Sequence, residues 1–237
     1  MIYCLFFLIT YNALHGKKLY DELYQVGYHK NIELSHATFL VYELLDSSNF
    51  PNYTINTILD VGCSHGKAVQ QLWKGGKNAS GVDISSVAVN RAISIRIHKK
   101  KHIQPRCVFG TSCFQTSSVT SLPFRDRYFD ALLSTDVLEH IEPHEVPRAV
   151  TELGRVTKRF LFLKIANRLS NDNDLYKLKQ KGTSVPHNLH LSIHETDKWL
   201  AEFERVGFKL HHKLEDHMKW IMKFPHMCCA FILERYR

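Results

Sequence analysis

Residues 58–66 read Ile-Leu-Asp-Val-Gly-Cys-Ser-His-Gly, and this stretch decides the fold. Its apolar first half is typical of a central parallel strand that is covered on both faces. Asp60 interrupts the apolar run, and a carboxylate in such a place needs a partner. Gly62 and Gly66 permit a sharp turn and a close approach of the backbone to a ligand. Because residues 67–73 carry apolar positions on one helical face, the stretch predicts a strand, a binding turn and a helix.

The same stretch resembles the first motif of class I S-adenosylmethionine (SAM) dependent methyltransferases. That motif reads Asp-x-Gly-x-Gly-x-Gly, and Ser64 replaces its middle glycine. The resemblance implies that SAM is the cofactor and that five residues surround it: Asp60, Gly62, Cys63, Ser64 and Gly66. A dinucleotide site is the alternative, but its Gly-x-Gly-x-x-Gly pattern would place glycines where Ser64 and Lys67 stand. A parallel strand with a tight turn and no ligand is the second alternative.

An acidic residue ends the next predicted strand, which covers residues 79–84. Asp83 stands where a carboxylate accepts hydrogen bonds from both hydroxyls of a ribose. This matches the second motif of the same family, and the resemblance implies that Asp83 and Ile84 contact the cofactor. The alternative role for Asp83 is an N-cap of the helix that begins near Ser85.

Two later stretches continue the resemblance in the same order. Residues 117–130 are similar to the family's Asp-Ala-x-x-Leu-Pro-Phe-x-Asp-x-x-Phe-Asp pattern, with Ser118 in place of the first Asp. This similarity implies that Ser118 and Val119 contact the adenine. The fourth predicted strand, residues 128–135, leads into Leu-Glu-His-Ile at 138–141, which resembles methyltransferase-11-type proteins. The resemblance therefore implies that two residues at the end of this strand, Thr135 and Asp136, contact the cofactor or the substrate.

The order of elements and the family pattern predict an α/β fold, a Rossmann-like class I methyltransferase sandwich. Its sheet is expected to have seven strands, mostly parallel, with an antiparallel last strand. We divide the chain into an N-terminal helical cap or lid (1–50) and a SAM-binding domain (51–237), with a substrate loop at 166–194. Three residues are candidates for the lid, although a plain covering helix pair explains them equally well: Tyr24, Tyr28 and His29.

Composition describes an ordinary globular protein of 237 residues, with 44% hydrophobic and 23% charged residues. No apolar run reaches the length of about 20 residues that spans a bilayer. The apolar residues 1–10 predict a docking strand or helix, with a misplaced start or a weak signal sequence as alternatives. The six cysteines have no paired metal-ligand spacing, so we expect reduced thiols in a cytoplasmic protein and no metal.

Net charge is +8, and much of it lies in short clusters such as residues 98–102. Such clusters are usually solvated helix ends, so a nucleic-acid partner is the less favoured interpretation. The sequence leaves the oligomeric state open.

Methyl transfer from a sulfonium requires positioning, and a hydroxyl, phenol or activated carbon acceptor also requires a base. Histidines are the candidate catalytic residues: His140, His187 and His190. A backbone-bonded residue at a helix start is the alternative for His140, and a zinc pair is the least favoured alternative for the other two. The predicted function is SAM-dependent methyl transfer to a small-molecule acceptor. The alternatives are a nucleic-acid methyltransferase, a SAM-fold scaffold without turnover and, more remotely, an aminopropyl transferase.

Overall fold

The computed structural model describes residues 16–28, 36–98, 107, 113–167, 188–211 and 230–236. Several predictions lie outside these residues: those for residues 1–10, for His29 and His187, for the basic residues 99–102 and for most of the loop 166–194.

Helices and strands alternate along the described chain. The helices are α1 (residues 16–25), α2 (His36–Leu45), α3 (Lys67–Lys74), α4 (Ser86–His98), α5 (Val146–Val156) and α6 (Thr196–Arg205). The strands are β1 (Thr57–Val61), β2 (Asn78–Asp83), β3 (Phe114–Thr116), β4 (Phe129–Thr135), β5 (Thr157–Lys164), β6 (Phe208–Leu210) and β7 (Ala230–Arg235). Short 3₁₀ turns occupy Ser47–Asn49 and Leu138–His140.

The seven strands form one sheet in the order β3-β2-β1-β4-β5-β7-β6. The neighbours from β3 to β5 pair in parallel, and β7 is antiparallel to both β5 and β6. The strand order reverses between β1 and β4, and in open α/β sheets ligands bind at such a switch point. The predicted fold class is confirmed.

Apolar side chains cover both faces of the sheet, as the near-continuous apolar strands require. On one face, Leu40 of α2 and Leu72 of α3 pack with Ile58, Leu133 and Phe162 of the strands. On the other face, helices α5 and α6 pack against alternate residues of the same strands. Since α2 shares a core with β1, it is part of the sandwich, whereas α1 lies over the carboxyl ends of the strands. The division of the chain at residue 50 stays a prediction.

Two expectations were wrong. Residues 106–114 are rich in small and aromatic residues and predict a third strand, but β3 begins at Phe114, and its next two residues are exposed. An edge strand needs no apolar run on its outer side, so the apolar pattern misplaces it. Cys107 and Cys113, expected as reduced thiols, form a disulfide just before β3. Cys63 is a buried free thiol. No helix within the described ranges is long and apolar enough to cross a membrane.

Candidate active site

A cavity of about 320 Å³ opens where β1, β2 and β4 end. It therefore lies at the switch point of the sheet, where the fold places ligands. Seven of the predicted cofactor residues line it, together with His140: Gly62, Asp83, Ile84, Ser118, Val119, Thr135 and Asp136. The lining also includes three residues of α1 and the turn after it, Tyr20, Tyr24 and Tyr28, and two residues that follow the undescribed loop, Leu189 and Leu191.

The glycine turn after β1 is dictated by packing inside the protein. The Gly62 and Cys63 N–H groups both donate to the Val82 carbonyl, at 2.8 and 2.9 Å, which ties the turn to β2. Gly62 has φ +79°, and a Cβ there would overlap the side chain of Val137. Gly66 has φ +72° and lies against the Phe114 ring in the same way. Cys63 and Gly66 help to shape the turn but do not line the cavity, and their contact with the cofactor stays a prediction.

Ser64 also has a positive φ, +49°, which is uncommon for a residue with a side chain. Its N–H donates to Asp83 Oδ2 at 2.9 Å, and its side chain shares a hydrogen bond with Tyr24 of α1. Ser64 is not among the cavity-lining residues. Its contacts instead connect the glycine turn, β2 and α1.

Asp83 presents a fixed carboxylate to the cavity. Oδ2 accepts from Ser64 N–H and Oδ1 accepts from Ser85 N–H, both at 2.9 Å. Each oxygen keeps a second lone pair, so both remain able to accept from a ligand. Burial raises the pKa of Asp83 to about 6, because it outweighs the hydrogen bonds from Ser85 and Ser64 that favour the charged form. The group fits a ligand that donates two hydrogen bonds.

Asp60 lies deeper in the protein, with only 3% of its surface exposed. Within the described part of the chain no hydrogen bond reaches its carboxylate. Burial, with a smaller effect of the Asp83 charge, raises its pKa to about 7. Asp60 does not line the cavity, and its contact with the cofactor stays a prediction.

The loop after β3 supplies the rim next to Asp83 and Ile84. Ser118 Oγ lies 2.9 Å from Thr120 Oγ1 and accepts from Thr120 N–H at 3.2 Å. These local bonds hold the loop in shape and leave the Val119 side of it facing the cavity.

Asp136, after β4, has φ +56° and forms an ion pair with Lys164 of β5. The Lys164 side chain is 7% exposed, so its charge is held inside the protein by this pairing. Asp136 N–H also donates to the Lys164 carbonyl at 2.9 Å. The sequence prediction assigned Asp136 and missed Lys164. A single lysine at the end of an apolar strand was the available signal.

His140 lines the cavity from the 3₁₀ turn after β4. Its Nδ1 lies 2.9 Å from the Leu189 carbonyl oxygen. Because a carbonyl only accepts, Nδ1 carries the proton and Nε2 is the accepting nitrogen of the neutral ring. The His190 ring centroid lies 4.9 Å away and the Tyr20 centroid 6.0 Å away. Two of the three candidate histidines are therefore adjacent, although His190 itself does not line the cavity.

Glu139, which the sequence prediction did not assign, holds this histidine region together. Its backbone carbonyl accepts from the N–H groups of Leu191 and Ser192, at 2.7 and 3.0 Å. Its Oε1 accepts from Ala166 N–H at 2.9 Å, after β5. The side chain is buried, and burial, with the nearby Asp136 charge, raises its pKa to about 8.

Helix α1 covers the cavity and is anchored by Asp21. The Asp21 carboxylate accepts from Ser85 Oγ at 2.7 Å and from Val87 N–H at 3.2 Å, at the start of α4. Lys17 adds an ion pair within α1 at 2.6 Å. Burial acts to raise the pKa of Asp21, but hydrogen bonds from Lys17, Ser85, Val87 and Ser86 outweigh it and lower that pKa to about 2. No sequence pattern predicts this contact, because Asp21 and α4 are far apart in the chain.

Comparisons with known proteins agree with this geometry. Residues 59–160 match the family model described as Methyltransferase domain, of the methyltransferase-11 type. The sequence matches no curated protein.

Solved structures share the fold at low identity. Magnesium protoporphyrin IX methyltransferase (ChlM) of Synechocystis PCC 6803, with bound SAH, is 17% identical with a TM-score of 0.59, over 91% of this chain and 92% of that chain. A SAM-dependent methyltransferase of Methanosarcina mazei is 19% identical with a TM-score of 0.53, over 78% and 95%. The [4+2]-cyclase SpnF is 16% identical with a TM-score of 0.55, over 84% and 80%.

The predicted family, SAM-dependent methyltransferases, and the predicted cofactor, SAM, are confirmed by these comparisons. The roles of individual residues stay predictions. Residues 59–160 are similar to methyltransferase domains of the methyltransferase-11 type, and S-adenosylmethionine is the cofactor that such a domain implies.

Proposed function

We propose that the protein transfers a methyl group from SAM to a small-molecule acceptor. The observation that carries this proposal is one cavity with two chemically different ends. We name the donor end by the residues at the strand ends and the β3 loop: Gly62, Asp83, Ile84, Ser118, Val119, Thr135 and Asp136. We name the acceptor end by the aromatic and apolar residues of the lining and by the histidine: Tyr20, Tyr28, His140, Leu189 and Leu191.

The donor end fits SAM through its hydrogen-bonding groups. Asp83 retains a lone pair on each oxygen and suits the two ribose hydroxyls. Ile84 and Val119 offer apolar contact to the adenine, and the Gly62 turn allows the methionine part to lie close to the backbone. Thr135, the last residue of β4, and Asp136, which follows it, are suited to hold the amino group of SAM. When bound, SAM supplies a methyl group activated by its sulfonium.

The acceptor end fits the second substrate. Tyr20, Tyr28 and Leu189 belong to one apolar cluster over the cavity. The Nδ1–H tautomer of His140 directs the proton-accepting Nε2 away from Leu189 O, so His140 is suited to take a proton from a hydroxyl or phenol acceptor. His190 does not line the cavity, but its ring lies next to that of His140. We assign His140 as the base and His190 as a residue that positions it; His187 stays a prediction.

The charges of the lining favour a small neutral or cationic acceptor. Within the described ranges, four carboxylates and no lysine or arginine line the cavity: Asp83, Asp136, Glu142 and Glu145. Nucleic-acid sites are lined by Lys and Arg that contact phosphates, which makes the nucleic-acid alternative the weaker one.

The test measures cofactor binding and turnover separately. Calorimetry on the full chain is expected to give binding of SAM and none of NAD, because the glycine turn lacks the dinucleotide pattern. The protein is then incubated with SAM and with either the small-molecule fraction or the RNA fraction of a cell extract. The release of S-adenosylhomocysteine (SAH) is measured in each case. We expect release with the small-molecule fraction. A folded protein that does not bind SAM contradicts the proposal, and release with RNA alone supports the nucleic-acid alternative.

The remaining alternative is a protein that has this fold but does not transfer methyl groups. It stays open because the fold is also found in the [4+2]-cyclase SpnF. It predicts SAM binding with no SAH release in either fraction. A catalytic role for His140 predicts instead that His140→Gln lowers SAH release and leaves the protein folded.

A further inference from the structure

Glu139, His140 and His190 form a compact cluster beside the acceptor end. One ligand atom from each residue can be chosen so that all three lie within 4.8 Å of one another. Two imidazoles and one carboxylate are the ligand types of catalytic zinc sites, which use three protein ligands and leave a further position open.

The buried carboxylate is the second observation. Glu139 has no exposed surface, and its Oε1 is occupied by Ala166 N–H. Its Oε2 is buried and has no hydrogen-bond partner. A buried oxygen without a partner requires an explanation, and an ion is one of the few available.

The surrounding bonds orient the other two residues. The Leu189 carbonyl accepts from His140 Nδ1–H, which fixes the tautomer in which Nε2 has a lone pair for an ion. Asn188 clamps the His190 backbone, since Oδ1 accepts from His190 N–H at 3.1 Å and Nδ2 donates to the His190 carbonyl at 2.7 Å. Metal-binding histidines characteristically have a partner on the other ring nitrogen, as His140 has in the Leu189 carbonyl.

We propose that Glu139, His140 and His190 bind one divalent transition-metal ion of the zinc type. A tetrahedral ion with bonds of about 2.0–2.2 Å holds its ligand atoms about 3.4 Å apart, so the cluster, whose atoms lie within 4.8 Å of one another, would have to contract slightly around it. The sequence prediction expected no metal, because it considered only a pair of histidines without cysteines. Glu139 belongs to the Leu-Glu-His-Ile stretch at 138–141 and was not considered as a metal ligand.

The open position of the ion would face the acceptor end, because His140 belongs to both the cluster and the cavity lining. An oxygen, nitrogen or sulfur atom of the acceptor would occupy it. In the metal-bound protein the lone pair of His140 Nε2 would be bound to the ion, so the ion, and not His140 as a base, would promote loss of the acceptor's proton. This last assignment rests on the proposed function, whereas the metal site does not.

The test uses the full chain after treatment with a chelator, and the probes are the metal ions alone. Calorimetry with Zn²⁺ is expected to give one ion per chain, and Co²⁺ is expected to give the visible absorption of a four- or five-coordinate site with nitrogen and oxygen ligands. Glu139→Gln keeps an acceptor for Ala166 N–H and removes the anionic ligand. Both Glu139→Gln and His190→Ala are expected to weaken binding at least about tenfold.

His194→Ala is the matched control, because His194 lies four residues beyond His190 and outside the cluster. It is expected to bind Zn²⁺ as the parent protein does. SAM affinity is measured on every variant, so that loss of the metal site can be distinguished from loss of cofactor binding. Three results overturn the proposal: no saturable binding by the parent, equal affinity in all variants, or a sulfur-to-cobalt charge-transfer band that reveals binding at cysteines.

Discussion

The donor end of the cavity is built from four short segments, each at or just after the carboxyl end of one of the neighbouring strands β1 to β4. The acceptor end is built from α1, the turn after β4 and residues 188–191, which come from three distant parts of the chain. Backbone geometry and glycines shape the first, and side-chain contacts between distant segments shape the second. The difference teaches that a strand-end motif specifies cofactor binding locally, whereas substrate binding depends on the tertiary structure.

The carboxylates in and near the donor end differ in how their charge is balanced. Burial raises the pKa of Asp83, and of Asp60, which does not line the cavity, and neither forms an ion pair among the described residues. Asp136, by contrast, is paired with Lys164. Because SAM is a cation, Asp83 gains a favourable charge only when the cofactor binds.

The largest effect is expected from Gly62→Ala at the donor end. The substitution forces a residue with a side chain to φ +79° and drives its Cβ into Val137. Strain of about 1–2 kcal/mol and overpacking of about 1–3 kcal/mol together reduce the free energy of unfolding by about 2–5 kcal/mol. Thermal and denaturant unfolding measure this loss.

Gly76→Ala is the control for that experiment. Gly76 has φ +78°, but a Cβ there meets nothing within 4 Å. The Gly76→Ala substitution should therefore reduce the free energy of unfolding only by the backbone strain, about 1–2 kcal/mol. Equal losses for the two variants would show that contact with Val137 does not determine the turn.

An intermediate effect is expected from Asp60→Asn. The pKa of Asp60 is about 7 in the folded protein against an ordinary 3.8, so the folded state favours the protonated form. Its contribution to stability is therefore complete below pH 3.8 and is lost as the pH rises through 7. The asparagine variant should lose less stability than the parent between pH 5 and pH 8, by a difference on the order of 2 kcal/mol. Denaturant unfolding at both pH values measures it, and identical pH dependence in the two proteins would contradict a buried, unpaired Asp60.

The smallest effect on stability is expected from Asp21→Ala, which releases α1 from the start of α4. Loss of a cap of this kind costs about 1 kcal/mol. The more specific result is greater hydrogen exchange in α1 than in α3, because the anchor holds α1 alone. Glu22→Ala, an exposed acid next in sequence, is the control and should leave α1 protected. An Asp21→Ala protein with unchanged exchange in α1 would mean that other contacts hold the helix.

The sequence predicts most of the fold and the donor end, for a physical reason. Buried parallel strands have apolar runs, and the turns after them need glycines such as Gly62 and Gly66, so both are visible in a single stretch. Asp21, Glu139 and Lys164 escape prediction because their partners are distant in the chain. Ser64 is instructive in another way, since its N–H binds Asp83 and its side chain binds Tyr24, contacts that a motif position does not reveal.

The most direct measurement is the SAM affinity of two variants compared with the parent by calorimetry at neutral pH. Asp83→Asn removes a charged acceptor at the donor end and should weaken SAM binding at least about tenfold. His140→Gln changes only the acceptor end and should leave SAM affinity within about threefold of the parent. Equal losses in both variants, or a loss confined to His140→Gln, would contradict a cavity with a separate donor end and acceptor end.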